Sequence, residues 1–133
     1  MLVAILAIAA GLRVWAPWDD VLGTPSGTGG RINFLETDAW YHVRLAESQV
    51  RNFPHRVTTD PYAAPDGQYV AVAPLLDASI ATFAFITGGR HASTEYIERV
   101  AAFAPAITGV LAVLAVWALA TVAFDRRAGL IAG

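Results

Sequence analysis

The run from Val100 to Phe124, 25 residues without a charged side chain, constrains this chain more than any other segment. A helix of that length crosses a hydrocarbon core of about 30 Å with room for tilt. In lipid every backbone amide must find its partner within the segment, so the run is expected to be a transmembrane helix. Only Pro105 and Gly109 interrupt it. The composition agrees: 56% of residues are hydrophobic and 15% charged, where a soluble domain carries about a quarter charged. The excess apolar surface has to be buried in a lipid bilayer or in other subunits, and the charge-free run points to the bilayer as partner. A net charge of -2 gives no footprint for nucleic acid, which is excluded. The absence of cysteine excludes disulfides and thiolate metal sites.

Met1 to Trp15 is a shorter apolar run that carries Arg13, with Trp15 and Trp18 where an interfacial aromatic belt would lie. It is expected to form a first transmembrane helix over 1–16. A signal peptide is the competing reading, since Ala7-Ile8-Ala9 resembles a cleavage site, but no basic residue precedes the run. Val70 to Thr87 is weaker. Pro74 suits a first helical turn and Gly88-Gly89 its end, which leaves too few residues to span a bilayer, and Asp77 lies inside. Leu76, Ile80 and Phe83 recur at helical spacing, so a membrane-surface helix is expected over 74–87, with Asp77 as a surface carboxylate.

The positive-inside rule places Arg126 and Arg127 in the cytoplasm. Residues 17–96 then form one external loop, 97–124 the second transmembrane helix, and 125–133 a cytoplasmic turn with the start of a third. The expected fold class is an all-α integral membrane protein whose transmembrane helices are joined by a long external loop carrying two membrane-surface helices. The location that follows is the plasma membrane, multi-pass, with the loop on the external or periplasmic face.

Within the loop, Pro17 to Gly30 reads as a turn-rich connector. Thr37 or Asp38 can cap a helix over 38–51, along which Ala39, Val43, Ala46 and Val50 share one face and Glu47 and Arg51 form an i,i+4 pair. Asn52-Phe53-Pro54 ends that helix, and Asp60-Pro61-Tyr62 and Pro65-Asp66-Gly67 mark turns. No GxxxxGK, GxGxxG, GxSxG or HExxH pattern is present.

The chemistry concentrates in Glu36-Thr37-Asp38. Two carboxylates at this spacing offer hard oxygen ligands to a divalent cation, and such a cation can bridge a phosphate-bearing substrate. The plainer readings are a helix cap for Asp38 and a solvated loop acid for Glu36. His42 is a packing residue or a substrate contact. Arg44 offers a guanidinium fork to a pyrophosphate, or pairs with Glu47 or Glu36. Trp40 and Tyr41 read as interfacial anchors.

The stretch Glu36-Thr37-Asp38-Ala39-Trp40-Tyr41-His42-Val43-Arg44, followed by Asn52-Phe53-Pro54, Asp60-Pro61-Tyr62, Asp66-Gly67 and Ala73-Pro74-Leu75-Leu76-Asp77, resembles the oligosaccharyltransferase catalytic subunit in its prokaryotic branch. Phe124-Asp125-Arg126-Arg127-Ala128-Gly129-Leu130 resembles that family's second-to-third membrane helix junction. The resemblance implies the N-terminal part of a glycosyltransferase-C fold. It implies an enzyme that moves a glycan from a polyprenyl-(pyro)phosphate carrier to the asparagine of Asn-x-Ser/Thr sequons. It further implies a Mn²⁺ or Mg²⁺ cofactor with Asp38 as catalytic metal ligand and Glu36 as a second acid. The family's second acidic motif, later glutamate and tryptophan-rich motif have no counterpart here, so this stretch alone is expected to be inactive. Where some archaeal relatives place a histidine ligand, this chain has Val70-Ala71-Val72. The alternatives are a different glycosyltransferase-C enzyme, of the protein O-mannosyltransferase or lipid-A aminosugar transferase type, and a non-catalytic membrane subunit or transporter.

Overall fold

The computed structural model describes residues 1–15, 18, 32–34, 36–60, 62 and 65–133. The connector read over Pro17 to Gly30 lies outside the described residues, apart from Trp18. The chain divides into two compact units, 31–102 and a unit formed by 1–30 with 103–133. It is mostly helical: α1 spans Leu2–Trp15, α2 Thr37–Arg51, α3 Leu75–Gly88, α4 Thr94–Ala123 and α5 Arg126–Ala132.

In the unit 31–102, α2 and α3 pack face to face. The 3.6-residue period of apolar positions on α2 brings Val43, Ala46 and Val50 into the core, joined by Leu45 and Gln49. From α3 come Asp77, Ile80, Ala81 and Ala84, four positions on one face of that helix. Ile32, Val70 and Ile97 close the core, and Phe53 stacks on Phe85 with ring centroids 4.2 Å apart. Gly89 ends α3 at φ 73°, a conformation that side chains with a Cβ rarely adopt.

Four sequence expectations need correction here. The stripe on α3 runs through Asp77, Ile80, Ala81 and Ala84; Phe83, expected beside Ile80, is exposed. Asp77 is buried, not a surface carboxylate. Neither Thr37 nor Asp38 caps α2, because the cap position falls on Glu36, in extended conformation and without a side-chain capping bond. Finally, the fold is not purely α. Strands β1 (Thr59–Asp60) and β2 (Gln68–Tyr69) pair antiparallel, Thr59 against Tyr69 and Asp60 against Gln68. Two-residue strands are too short to show a period of two, so hydropathy could not reveal them.

Helix α4 runs from the unit 31–102 into the other unit and begins at Thr94, ahead of the 97–124 read from the sequence. Its first turns are polar, held by an Arg99–Glu95 pair at 2.6 Å. Among the described residues it is the one helix long and apolar enough to cross a membrane, with a mean hydropathy of 2.3 in its best window. Only 6% of that window is buried within the chain, the reverse of a core helix in a soluble domain. Arg13 of α1 donates to the Ala9 carbonyl at 3.1 Å and lies against Gly109, where a Cβ would strike its side chain. Asp125 caps α5, accepting from the Ala128 amide at 2.8 Å. Gly129 of α5 is buried against Trp117 and Thr121, and a Cβ there would come within 2.8 Å of the Trp117 carbonyl oxygen.

Candidate functional site

The start of α2 presents Asp38 to solvent. It is the acidic residue of the first helical turn, where the positive end of the helix dipole favours an anion, and its side chain is 77% exposed. One turn on, His42 turns Nε2 toward it, 3.7 Å from Asp38 Oδ2. The i,i+4 spacing puts both groups on one face of the helix.

The other edge of the same imidazole faces inward. His42 Nδ1 donates to Oδ1 of Asp77, 2.5 Å away on the first turn of α3. The Asp77 side chain is 2% exposed, and its Oδ2 is buried with no hydrogen-bond partner among the described residues. Asp77 thus joins the site through His42, a connection over 35 residues that no local pattern could announce. The signal available was a lone carboxylate on an otherwise apolar helix face.

Arg44 is engaged elsewhere. Its guanidinium pairs with the buried carboxylate of Asp60, whose Oδ1 also accepts from the Tyr62 amide at 3.0 Å. It lies 5.2 Å from the centroid of Tyr41 and 5.4 Å from that of Tyr62, within cation–π range of both rings. Neither Glu47 nor Glu36 is its partner: Glu47 pairs with Arg51 and accepts from Thr94 Oγ1 at 2.5 Å. Trp40 donates Nε1–H to the Phe34 carbonyl at 3.1 Å and meets the Phe34 ring edge-on, fixing the entry into α2. Glu36 is exposed at the cap position.

Among the described residues, no three His, Cys, Asp or Glu side chains form a metal cage. The donors that do converge are the Asp38 carboxylate and His42 Nε2. One exposed carboxylate beside an oriented imidazole fits a divalent cation as a partial, open coordination set that water or substrate would complete.

Comparison with known proteins identifies a family and two relatives. The family model described as "Oligosaccharyl transferase STT3, N-terminal" matches residues 2–133. A dolichyl-phosphooligosaccharide-protein glycotransferase 3 of Archaeoglobus fulgidus is 39% identical over 135 residues, covering 99% of this chain and 14% of the relative. A dolichyl-monophosphooligosaccharide–protein glycotransferase AglB of Haloferax volcanii is 31% identical over 103 residues, covering 76% of this chain and 10% of the relative. This chain therefore spans about a seventh or less of the length of these relatives. No solved structure matches it.

Proposed function

The chain belongs to the oligosaccharyl transferase STT3 family, and on that premise we propose that it carries the first acidic motif of a metal-dependent membrane oligosaccharyltransferase. The reaction moves an oligosaccharide from a polyprenyl phosphate or pyrophosphate to the side-chain amide of asparagine in an Asn-x-Ser/Thr sequon. The amide nitrogen forms a bond to C1 of the first sugar and gives up one proton, while the bond from C1 to the carrier's phosphate oxygen breaks and the phosphate leaves with the electron pair. The relatives' names supply the donor class, a dolichyl-linked oligosaccharide, and a protein acceptor.

The observation that carries the reading is Asp38 itself, a carboxylate not used as a cap and left open on the first turn of α2. Asp38 would hold a Mn²⁺ or Mg²⁺ ion, with Glu36 beside it at the cap. Bound there, the cation supplies positive charge for the departing phosphate and helps retain the acceptor amide. His42 flanks the carboxylate on the same helix face. Arg44, paired with Asp60, links strand β1 to α2 and keeps its guanidinium partly open.

In the membrane, α4 crosses, the apolar but only 14-residue α1 inserts as part of a first crossing, α5 opens a third, and residues 17–96 lie on the external side, with α2 and α3 at the lipid surface. Support comes from Leu75, Phe83 and Ile86, large apolar side chains left exposed on α3, and from Arg126 and Arg127 directly after α4.

The test is transfer by the full-length protein in detergent, with a lipid-linked oligosaccharide and a fluorescent Asn-x-Thr peptide. Glycopeptide should form, vanish with EDTA and return with Mn²⁺ or Mg²⁺. No transfer, or transfer indifferent to EDTA, overturns the reading.

A further inference from the structure

Asp77 is costly where it stands. Its companions on the buried face of α3 are Ile80, Ala81 and Ala84, and an apolar residue there would avoid the desolvation of a carboxylate. One of its oxygens is buried without a partner among the described residues, and the other meets His42 Nδ1 at 2.5 Å. The carboxylate therefore serves the imidazole.

A neutral imidazole that donates Nδ1–H to a carboxylate carries its lone pair on Nε2. In His42 that nitrogen faces Asp38 Oδ2 across 3.7 Å. Two ligands each about 2.1 Å from a shared cation lie about 3–4 Å apart, so the two atoms are spaced to bind one ion. Histidine ligands commonly give their other N–H to a carboxylate, which sets tautomer and ring orientation. Here the three groups sit in that order: buried Asp77 on α3, half-buried His42 on α2, open Asp38 one turn before it.

We propose that His42 Nε2 is a ligand, together with Asp38, of the divalent cation at the first acidic motif, and that Asp77 is the positioning residue that aims it. The proposal rests on the metal-dependent reading above. It also deepens that reading, because an imidazole nitrogen in the set disfavours Mg²⁺, which is held by carboxylates and water.

The experiment is electron spin-echo spectroscopy of the full-length protein loaded with Mn²⁺, with Mn²⁺ affinity and glycan transfer measured on the same samples. Wild type should show ¹⁴N coupling to the ion, and His42→Gln should lose one coupled nitrogen while retaining bound Mn²⁺. Asp77→Asn keeps an oxygen for Nδ1–H but loses the charge, and should weaken Mn²⁺ binding by about 10- to 100-fold. Identical ¹⁴N spectra for wild type and His42→Gln would overturn the ligand assignment. Wild-type Mn²⁺ affinity in Asp77→Asn would overturn the positioning role. If wild type transfers glycan with Mn²⁺ but shows no nitrogen coupling, this inference fails and the proposed function stands. If it neither binds Mn²⁺ nor transfers, both fail.

Discussion

Asp60 on β1 and Arg44 on α2, sixteen residues apart, are joined by an ion pair in which the carboxylate is buried and the guanidinium lies near two tyrosine rings. The pair ties the hairpin to the helix that carries Asp38. Asp60→Asn and Arg44→Ala should each cost about 1–3 kcal/mol, since either leaves a charged partner uncompensated. The double variant should cost clearly less than the sum, as residues in contact couple. Thermal unfolding of the detergent-solubilised protein measures this, and strictly additive losses would show that the pair is idle.

Packing between α2 and α3 supplies a second expectation. Ile80 is 3% exposed and Leu75 81% exposed on the same helix. Ile80→Ala should lower stability by about 2–5 kcal/mol, through lost burial and a residual cavity. Leu75→Ala should leave unfolding in detergent almost unchanged. Equal losses at the two positions would contradict the orientation of α3.

Two helical glycines separate packing from propensity. A Cβ at Gly11 meets nothing within 4 Å, whereas one at Gly129 meets the Trp117 carbonyl oxygen at 2.8 Å and also the Thr121 side chain. Gly11→Ala should stabilise the protein by about 0.4–1 kcal/mol by restricting the unfolded chain. Gly129→Ala should destabilise it and speed proteolysis between α4 and α5. The opposite ordering of the two variants would refute the close approach of α5 to α4.

The proposed topology is open to direct labelling: residues 1–133 hold no cysteine, and any elsewhere in the full-length protein would be replaced first. A membrane-impermeant thiol reagent applied outside intact cells should modify His91→Cys and spare Arg126→Cys. Labelling of position 126 instead would invert the topology.

How far the sequence was legible follows from the range over which each signal acts. The face of α2 was readable because Val43, Ala46 and Val50 lie within two turns of one helix. The charge-free run in α4 announced itself by length. Partners across the fold were not readable. For Arg44 the sequence offers a pyrophosphate or the nearby acids Glu47 and Glu36, while its carboxylate partner in the fold is Asp60, brought close by a hairpin only two residues deep. Asp77 read as a polar exit to solvent because an isolated acid usually is one, and His42, which explains its burial, stands 35 residues earlier. Asp38 was visible as a motif, but its freedom from capping depended on where the helix begins, which propensity leaves uncertain by a residue or two.

The most direct test of the central claim is the rate of glycan transfer by Asp38→Asn in the full-length protein, across a Mn²⁺ titration. Asparagine nearly matches aspartate in shape and differs in charge, and Asp38 makes no capping bond whose loss would confuse the result. The expected result is a fall of at least about a hundredfold at low Mn²⁺, with wild-type membrane insertion. Transfer at the wild-type rate, unchanged at every Mn²⁺ concentration, would show that Asp38 does not hold the cation.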